Sequence, residues 1–283
     1  MSRSAAHGEP AEAGGAHDRL VIATWNINSI RARIDTFAKM VRKVRPDVVL
    51  LQETRCSDDV FPMTTMRRRG YKFAALNGRG GHHGVCILSK VPLEDVKVDV
   101  IGGIDEPRHV SAVVDFGGPL RVHSLYVPSG GDEPDPDINI KFRSKLAFIE
   151  GLSGWGPGAA AEPALLTGDF NVAPYETDVW SHRQLLDVVS HTPVETEGLE
   201  RARRAADWVD VVRRDRPEPE RIYTWWSYRN KTWPGSNKGR RLDHVWASPS
   251  LADRVASVTV MTETRGWEKT SDHVPLITTL MRT

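Results

Sequence analysis

The sequence predicts an α/β protein in which two β-sheets pack face to face and helices cover their outer sides. Apolar segments of strand length recur along the 283 residues, whereas helical patterns are few. Strands and helices come in a mixed order rather than in separate blocks. Each Gly- or Pro-rich stretch lies between two elements and marks a loop, so we expect one domain.

The first half of the chain supplies five predicted strands and two predicted helices. LVIATWN at 20–26 is an apolar strand, and residues 30–44 have apolar positions near helical spacing. DVVLLQE at 47–53 predicts a second, largely buried strand. Further strands are predicted at 84–89, 109–116 and 120–127, followed by a helix at about 138–152.

The second half returns to strands after a polar region. GWGPGAAAEP at 154–163 predicts a loop, and ALLTGDF at 164–170 predicts the next strand. The region that continues to about residue 214 is rich in Arg and Glu, and we expect it to be mainly helical. Four more strands are predicted at 221–226, 242–248, 255–262 and 274–280.

Composition sets broad limits on the partners of the chain. Its formal net charge is only +1, so it is not a bulk polycation. Basic residues cluster at 67–69, 201–204 and 237–241, and each cluster alone is more typical of a solvated face. A charge-balanced protein can still bind a phosphate backbone through one basic face. Because no apolar stretch approaches the ~20 residues that span a bilayer, we expect no membrane partner.

The N-terminus and the cysteines indicate the compartment. Residues 1–18 are small and polar, lack the apolar core of a signal peptide and predict a disordered leader before a single domain over 19–283. Cys56 and Cys86 form no disulfide framework and are predicted to be core or near-core residues. A reducing cytoplasm is therefore expected, and the Ala- and Arg-rich composition suggests a bacterial genome rich in GC.

Polar side chains lie at the edges of six apolar segments. In LLTGDFNVAP at 165–174, Asp169 and Asn171 are two residues apart, so they should project together from the carboxyl end of a strand. The other edges carry Asn26, Asn28, Gln52, Glu53, Tyr126, Asp243, His244, Asp272 and His273. One such edge is commonly a turn or a cap, but six with carboxylates and histidines among them are more than turns explain.

This set of side chains favours metal-assisted hydrolysis of a phosphoester. Oxygen ligands without a cysteine cluster indicate a hard cation, Mg²⁺ or Mn²⁺. A histidine beside a carboxylate can be protonated near neutrality and can stabilise a pentavalent phosphate, with Asp243 to orient it and Asp169 to accept a proton from water. Acyl transfer and NTP chemistry are disfavoured, because the sequence contains neither GxSxG nor GxxxxGK[ST].

Eight segments, in order, resemble the exonuclease III family of abasic-site endonucleases, within the endonuclease/exonuclease/phosphatase superfamily. They are WNINSIRAR (25–33), LLQET (50–54), GHHGVCILSK (81–90), YVPSGG (126–131), LTGDFNVAP (166–174), WWSYR (225–229), RRLDHVWAS (240–248) and TSDHVPL (270–276). Each motif alone is weak, but the ordered set is highly specific. The resemblance implies a DNase I-like fold, which is a four-layer α/β sandwich with two central mixed β-sheets flanked by helices.

The resemblance also implies which residues hold a metal. Glu53 matches the principal Mg²⁺ ligand, with Asn26 and Asp272 nearby. The complete set of candidate ligands is Asn26, Glu53, Asp169, Asn171, Asp272 and His273. Mn²⁺ is the alternative ion, and the family leaves open how many metals act and which group is the general base.

Five residues match catalytic positions of the family. Asp169 corresponds to the residue that positions or deprotonates the attacking water, and Asn171 to an amide that contacts the phosphate. Tyr126 corresponds to a tyrosine that contacts the phosphate and is also a candidate base or leaving-group acid. His273, paired with Asp243, corresponds to the imidazole that stabilises the phosphate.

The family accepts an extrahelical abasic sugar in a small apolar pocket that excludes an intact base. Trp225 and Leu242 match positions that line this pocket. The candidates for phosphate contacts are Arg229, Lys238, Arg240 and Arg241. The human enzyme carries a Trp just before its R-L-D segment, where this chain has Arg240, and this departure concerns the pocket rather than the hydrolytic residues.

These implications predict a monomeric, Mg²⁺-dependent DNA repair nuclease. We expect hydrolysis of the phosphodiester 5′ to an abasic site in duplex DNA, with 3′–5′ exonuclease and 3′-phosphatase activity on blocked 3′ ends. Two alternatives stay open. One is another phosphodiesterase of the superfamily, such as a general DNase. The other is a non-catalytic protein on the same fold that regulates nucleic acids, which would be expected to have lost some catalytic positions.

Overall fold

Two six-stranded mixed sheets form the centre of the computed structural model, which describes residues 18–155 and 163–282. The predicted leader, except Asp18, and residues 156–162 of the predicted loop at 154–163 lie outside the described residues. In chain order the strands are β1 (Arg19–Asn26), β2 (Val48–Gln52), β3 (Phe73–Asn77), β4 (Val85–Ser89), β5 (Glu94–Lys97), β6 (His109–Asp115), β7 (Pro119–Tyr126), β8 (Ala164–Asp169), β9 (Val209–Asp210), β10 (Asp243–Ala247), β11 (Val255–Val260) and β12 (Leu276–Met281).

The helices connect these strands on the outside of the sheets. They are α1 (Ile34–Val44), α2 (Met63–Arg67), α3 (Ile140–Ser153), α4 (His182–Leu185), α5 (Pro193–Ala205), α6 (Val211–Asp215), α7 (Trp233–Ser236) and α8 (Pro249–Ala252). Short 3₁₀ turns lie at Asp58–Val60, Glu176–Asp178 and Thr262–Gly266. Within residues 18–155 and 163–282, no helix combines the length and the apolar character needed to cross a membrane.

Each sheet contains one parallel pair among antiparallel neighbours. The first sheet has the order β11-β12-β1-β2-β4-β3, and β1 and β2 are its parallel pair. The second has the order β5-β6-β7-β8-β10-β9, and β7 and β8 are its parallel pair. Within each pair the carboxyl ends of both strands meet at the same edge of their sheet.

Three apolar clusters make the molecule four layers thick. The central cluster joins the facing sides of the two sheets and includes Leu50, Val122 and Leu165. A second cluster packs α1 against the outer side of the first sheet, and a third packs α3 and α5 against the second sheet. Alternate residues of β2 enter the two clusters on its faces, which is why this strand is apolar throughout. The predicted four-layer sandwich is confirmed.

The structure corrects several predicted elements. Residues 221–226 were expected to form a strand, but only Trp225 makes bridges there, to Arg240 and His273. The segment therefore belongs to neither of the two six-stranded sheets. The predicted helix at 30–44 starts only at Ile34, and the helical region to 214 is broken into short pieces around β9. The strands β3, β5 and β9 were not predicted: β3 is partly exposed, all four residues of β5 are exposed, and β9 has only two residues.

Cys56 and Cys86 are buried in the cluster beneath α1, and both are free thiols. Their predicted place in the core is therefore confirmed. Among the basic runs, Arg201 and Arg204 are exposed on α5, as expected for a solvated helix face.

Candidate active site

The ends of strands from both sheets meet at one end of the sandwich. Asn26 closes β1 in the first sheet, and Asp169 closes β8 in the second. The Nδ2 of Asn26 donates a hydrogen bond of 2.8 Å to Oδ2 of Asp169, and another of 3.0 Å to Oε1 of Glu53. Asn26 is fully buried, so this amide is a fixed bridge between the two sheets.

Strand register places three polar residues side by side across the second sheet. Asp169 lies opposite Tyr126 of the parallel strand β7 and opposite Asp243 of the antiparallel strand β10. This close approach needs Gly168, whose φ is +145° and whose place in the sheet leaves no room for a side chain. A Cβ there would lie 1.9 Å from the carbonyl oxygen of Leu125.

Asp169 and Asn171 lie side by side, as predicted. A turn after β8 places them together, whereas the prediction relied on alternation along one strand. Asn171 lies two residues beyond β8 with φ +52°, in the left-handed region. Its N–H donates to Oδ1 of Asp169 at 2.9 Å, and its Nδ2 donates to the carbonyl oxygen of Val127 at 2.8 Å. The side chain of Asn171 is therefore fixed beside Asp169 by contacts on both sides of the turn.

His273 forms an ion pair at the centre of the site. Its Nδ1 lies 2.8 Å from Oδ2 of Asp243, and its Nε2 lies 3.6 Å from Oδ2 of Asp169. Burial alone would lower the pKa of His273, but the Asp243 and Asp169 carboxylates outweigh burial and raise it to about 10. The Trp25 indole N–H, 2.9 Å from the His273 carbonyl oxygen, holds the backbone. At neutral pH the imidazole is a cation whose Nε2–H faces the site.

Among the carboxylates of this site, Asp169 is the one whose pKa is raised toward neutral pH. Burial is the main cause that raises the pKa of Asp169 to about 7, and the Asp243 and Glu53 carboxylates add to it. The opposing charge of His273 lowers the pKa but does not cancel the burial. A buried carboxyl group that titrates near 7 is suited to exchange a proton with water.

Glu53 is ionised and only partly exposed. It follows β2 with φ +51°, which turns its side chain toward Tyr126. Burial would raise its pKa, but the hydrogen bond from Asn26, the charge of Arg55 and the Tyr126 hydroxyl, 2.8 Å away, together lower the pKa of Glu53. Burial and the neighbouring Glu53 and Asp169 charges raise the pKa of Tyr126 well above its usual value, so its hydroxyl stays protonated.

The charge of this group fits a divalent cation. The positive groups that contact it are the imidazolium of His273 and the guanidinium of Arg55. The carboxylates of the site outnumber these two positive groups. They are those of Glu53, Asp169, Asp243 and Asp272. One buried oxygen, Oδ1 of Asp243, has no hydrogen-bond partner within the described residues. Hard oxygen donors with excess negative charge are what Mg²⁺ and Mn²⁺ select.

The geometry does not favour every predicted metal ligand. Asp169, Asp243 and His273 place one ligand atom each within 4.8 Å of one another. The two ring nitrogens of His273 already face carboxylates, with Nδ1 2.8 Å from Oδ2 of Asp243 and Nε2 3.6 Å from Oδ2 of Asp169. Both oxygens of Asp272 accept other hydrogen bonds, from Asn28 and from the Trp225 indole, each at 3.0 Å.

A basic and aromatic depression of about 500 Å³ opens beside Asp272. The Nζ of Lys238 lies 4.5 Å from the ring centroid of Trp180, and the guanidinium of Arg240 lies 5.4 Å from that of Trp225. Arg229 also lines the depression. Thus Trp225, Arg229, Lys238 and Arg240, predicted to contact substrate, line one depression next to the carboxylates.

The prediction that Arg241 contacts phosphate is wrong. Its guanidinium is fully buried and forms ion pairs with Asp178 and Asp210, both at 2.8 Å. Although burial opposes it, these two carboxylates raise the pKa of Arg241 above its ordinary value. Leu242 is also buried, in a cluster against which Trp225 packs, and it supports the depression from below instead of lining it.

Three residues that hold the site were not among the predicted metal-binding, catalytic or substrate-binding residues, although Asn28 was noted among the polar strand edges. Arg55 pairs with Oε2 of Glu53, Asn28 donates to Asp272, and the hydroxyl of Thr224 accepts the N–H of Asp243 at 3.0 Å. Asn28 lies inside the segment WNINSIRAR, and Arg55 directly follows LLQET, so their positions after strand ends offered a signal. Thr224 offered none, because it belongs to a segment that appeared to be a strand.

Comparison with known proteins gives consistent matches over most of the chain. The model of the Endonuclease/Exonuclease/phosphatase family matches residues 23–273. Exodeoxyribonuclease III of Haemophilus influenzae is 28% identical over 266 residues, which cover 89% of this chain and 97% of that protein. The structure of an AP endonuclease from Archaeoglobus fulgidus has 32% identity and a TM-score of 0.84, and the match covers 92% of this chain and 98% of that one. A 3′ phosphatase from Neisseria bound to a product DNA hairpin has 26% identity and a TM-score of 0.83, with the same coverage.

Proposed function

The chain belongs to the endonuclease/exonuclease/phosphatase family, and from that membership we propose that it is a metal-dependent DNA repair nuclease. The proposed reaction is hydrolysis of the phosphodiester 5′ to an abasic site in duplex DNA. One observation carries the proposal: hydrogen bonds and the ion pair between His273 and Asp169 join one group of side chains at the end of both sheets, namely Asn26, Glu53, Asp169, Asp243 and His273. The exodeoxyribonuclease III, AP endonuclease and 3′ phosphatase relatives support the same substrate class and suggest that 3′ ends are also processed here.

Glu53 is the residue that we propose as the main metal ligand. Its lowered pKa keeps it ionised, and its partly exposed position leaves it accessible. Asn26 is proposed to hold Glu53 and Asp169 in place, because its NH₂ group contacts both. A bound Mg²⁺ ion supplies charge neutralisation at a phosphate oxygen.

Asp169 and His273 are proposed to act on the attacking water and on the phosphate, respectively. We propose that Asp169 accepts the proton of the attacking water, since its pKa of about 7 matches that task. The Nε2–H of His273, oriented by Asp243, donates to the phosphate oxygen on which negative charge develops. Asn171 is proposed to offer its fixed amide to the same phosphate group.

Tyr126 is better suited to donate a proton or hydrogen bond than to act as a base. Its phenol remains protonated across the physiological range because burial and two carboxylates oppose its ionisation. It can therefore contact the phosphate or assist the leaving oxygen as an acid. In this structure the hydroxyl donates its single proton to Glu53 at 2.8 Å, so in either role as a donor it turns from Glu53 toward the substrate.

The central apolar cluster joins both sheets, and the side chains of the proposed site come from the ends of strands in those two sheets. We therefore propose one catalytic domain that acts as a monomer. The bacterial exodeoxyribonuclease III relative supports a cytoplasmic location.

The central experiment uses a duplex that carries one tetrahydrofuran abasic analogue. We expect the protein to cut 5′ to the analogue in Mg²⁺, to stop in EDTA and to resume when excess Mg²⁺ is added, because the carboxylate group needs a divalent cation. Denaturing gels of a 5′-labelled strand measure this directly. An undamaged duplex of the same sequence is the control.

Two other outcomes would redirect the assignment. Equal cutting of the undamaged duplex would indicate a general phosphodiesterase. Binding of the abasic duplex without cutting in Mg²⁺ or Mn²⁺ would indicate a non-catalytic binding protein on this fold.

The depression beside Asp272 gives a prediction on DNA affinity. Replacing exposed Lys238 with Met should weaken binding of all duplexes similarly, because a phosphate contact carries no sequence information. We expect the slope of log K against log salt to become shallower by about 0.9 for the lost contact. Fluorescence anisotropy at several salt concentrations measures both effects. Lys72→Met removes another exposed lysine as the matched control, and an equal change in both variants would contradict a role for this depression.

A further inference from the structure

A lysine ammonium lies buried behind the catalytic turn. Lys145 projects from α3, its side chain is fully buried, and it forms an ion pair with Glu195 of α5. Its Nζ also donates to the carbonyl oxygen of Asn171 at 2.7 Å and to that of Ser129 at 3.4 Å. One ammonium thus joins the loop that follows β7 to the turn that follows β8.

Glu195 is itself fixed by backbone donors. Its carboxylate accepts the N–H of Ser190 at 2.9 Å and the N–H of Thr192 at 3.2 Å, and so caps the first turn of α5. Arg240, which lines the basic depression, donates to the carbonyl oxygen of Val189 in the same loop. The pair therefore lies between the depression and the catalytic turn.

The side chain of Lys145 packs closely against Gly130, beside Val189. A Cβ on Gly130 would lie 2.8 Å from Cδ of Lys145 and 2.9 Å from Cγ1 of Val189. Gly130 also has φ +87°, so the backbone there is specialised for this approach. The aliphatic part of Lys145 fills the space between the two loops, and the ammonium contacts both of their carbonyl oxygens.

Stability alone is a weak reason to bury this ion pair. Replacing a buried pair by apolar groups of similar volume is often neutral or stabilising, because desolvation offsets the attraction. The carbonyl oxygens that Lys145 contacts belong to the segments that carry Tyr126 and Asn171. A purely apolar replacement would remove the ammonium that contacts both, and would leave the hydrogen bonds of Val127 to Asn171 and Asp169 as the link between those segments.

We propose that Lys145 is a positioning residue for the nuclease reaction, held by Glu195 so that its ammonium fixes the Asn171 turn against the Ser129 loop. It touches neither DNA nor the reacting atoms, and it acts through the orientation of Asn171. The proposal rests on the proposed nuclease function, and its effect belongs to kcat rather than to DNA binding.

Three variants separate positioning from stability. Glu195→Gln keeps Lys145 and offers it an amide oxygen in place of the carboxylate, so we expect lower stability and a smaller loss of kcat than in the variant without the lysine. Lys145→Met with Glu195→Gln restores electroneutrality but lacks the ammonium, and we expect kcat to fall about 10- to 100-fold with KM unchanged, as for a slightly misplaced catalytic group. Lys72→Met controls for the loss of a lysine charge. A kcat in the neutral double variant equal to that of wild type would overturn the proposal.

A mutant cycle tests whether Lys145 acts through Asn171. In an Asn171→Ala background, Lys145→Met should lower kcat by less than about 3-fold, because residues that act as a unit are not additive. If Lys145→Met lowers kcat by the same factor in the wild-type and Asn171→Ala backgrounds, Lys145 does not act through Asn171.

Hydrogen exchange gives a measurement that needs no nuclease activity. In the neutral double variant, the amides of Asn171 and Ala173 should exchange faster than in wild type, while those of β2 and β8 stay protected. Unchanged protection at 171–173 would overturn positioning whatever the substrate is. If the wild type does not cut abasic DNA but the exchange result holds, the nuclease proposal fails and the anchoring role survives.

Discussion

Replacing Asp169 with Asn is expected to lower kcat for incision of an abasic duplex by about 10³-fold, within the range that positioned proton transfer contributes. The amide has almost the same shape and can still accept the hydrogen bond from Asn26, but it cannot take a proton from water. Single-turnover kinetics on the tetrahydrofuran duplex measure the loss. Exposed Asp187→Asn is the matched control, and it should leave the rate unchanged. A loss smaller than about 10-fold would remove Asp169 from the role of base.

Unfolding would not explain that loss. Burial raises the pKa of Asp169 to about 7 from its ordinary value of 3.8. The folded protein therefore binds the proton more tightly than the unfolded chain, and the ionised carboxylate costs stability as pH rises from about 4 to 7. Asn carries no charge, so we expect the variant in EDTA at pH 8 to melt at or above the Tm of wild type. A Tm well below wild type would mean that the amide disturbs the site.

Replacing Asp178 with Ala is expected to lower the free energy of unfolding by about 3–5 kcal/mol, the usual cost of breaking a buried ion pair. Asp178 is fully buried and accepts hydrogen bonds from the guanidinium groups of Arg213 and Arg241. Asp210 contacts Arg241 and remains in the variant, but the charge on Arg213 loses its carboxylate. Urea unfolding followed by circular dichroism measures the change.

An exposed carboxylate serves as the control for the Asp178→Ala prediction. Asp187→Ala removes an exposed carboxylate from the same part of the chain and should change stability by less than about 0.5 kcal/mol. A loss below about 1 kcal/mol for Asp178→Ala would mean that water or Asp210 solvates the guanidinium groups. Because the carbonyl oxygen of Asp178 also accepts the N–H of Arg241, the alanine variant keeps the backbone contact that precedes Asp243.

The fold was predictable because its central strands are apolar on both faces. Residues such as Val49 and Leu50 enter different clusters, and a continuous apolar run indicates that kind of strand. The strand ends were predictable for the same reason, because a polar residue after such an apolar run marks the point where the strand emerges from the core. The bridge at Trp225 was not, because a β-rich sequence fixes an extended backbone without fixing its partner.

Buried charges account for most of what the sequence did not reveal. Arg241 stands beside Arg240 in a basic run that looks exposed, and only the fold brings Asp178 and Asp210 to it. Lys145 likewise looks like any lysine on a helix until Glu195 of another helix is found beside it. Local patterns report polarity, whereas the burial of an ion pair depends on residues distant in sequence.

The pairing of β1 with β12 has a consequence for how this enzyme is made. Trp25 and His273 are joined by a hydrogen bond although they are 248 residues apart, and Asn26 needs Ser271 to contact its carbonyl oxygen. A ribosome that has translated the first eleven strands has therefore produced a chain without His273 and without β12, one of the two neighbours of β1. Contacts of such long sequence separation form late. The growing polypeptide cannot cut DNA until β12 has left the ribosome, so synthesis itself delays the activity.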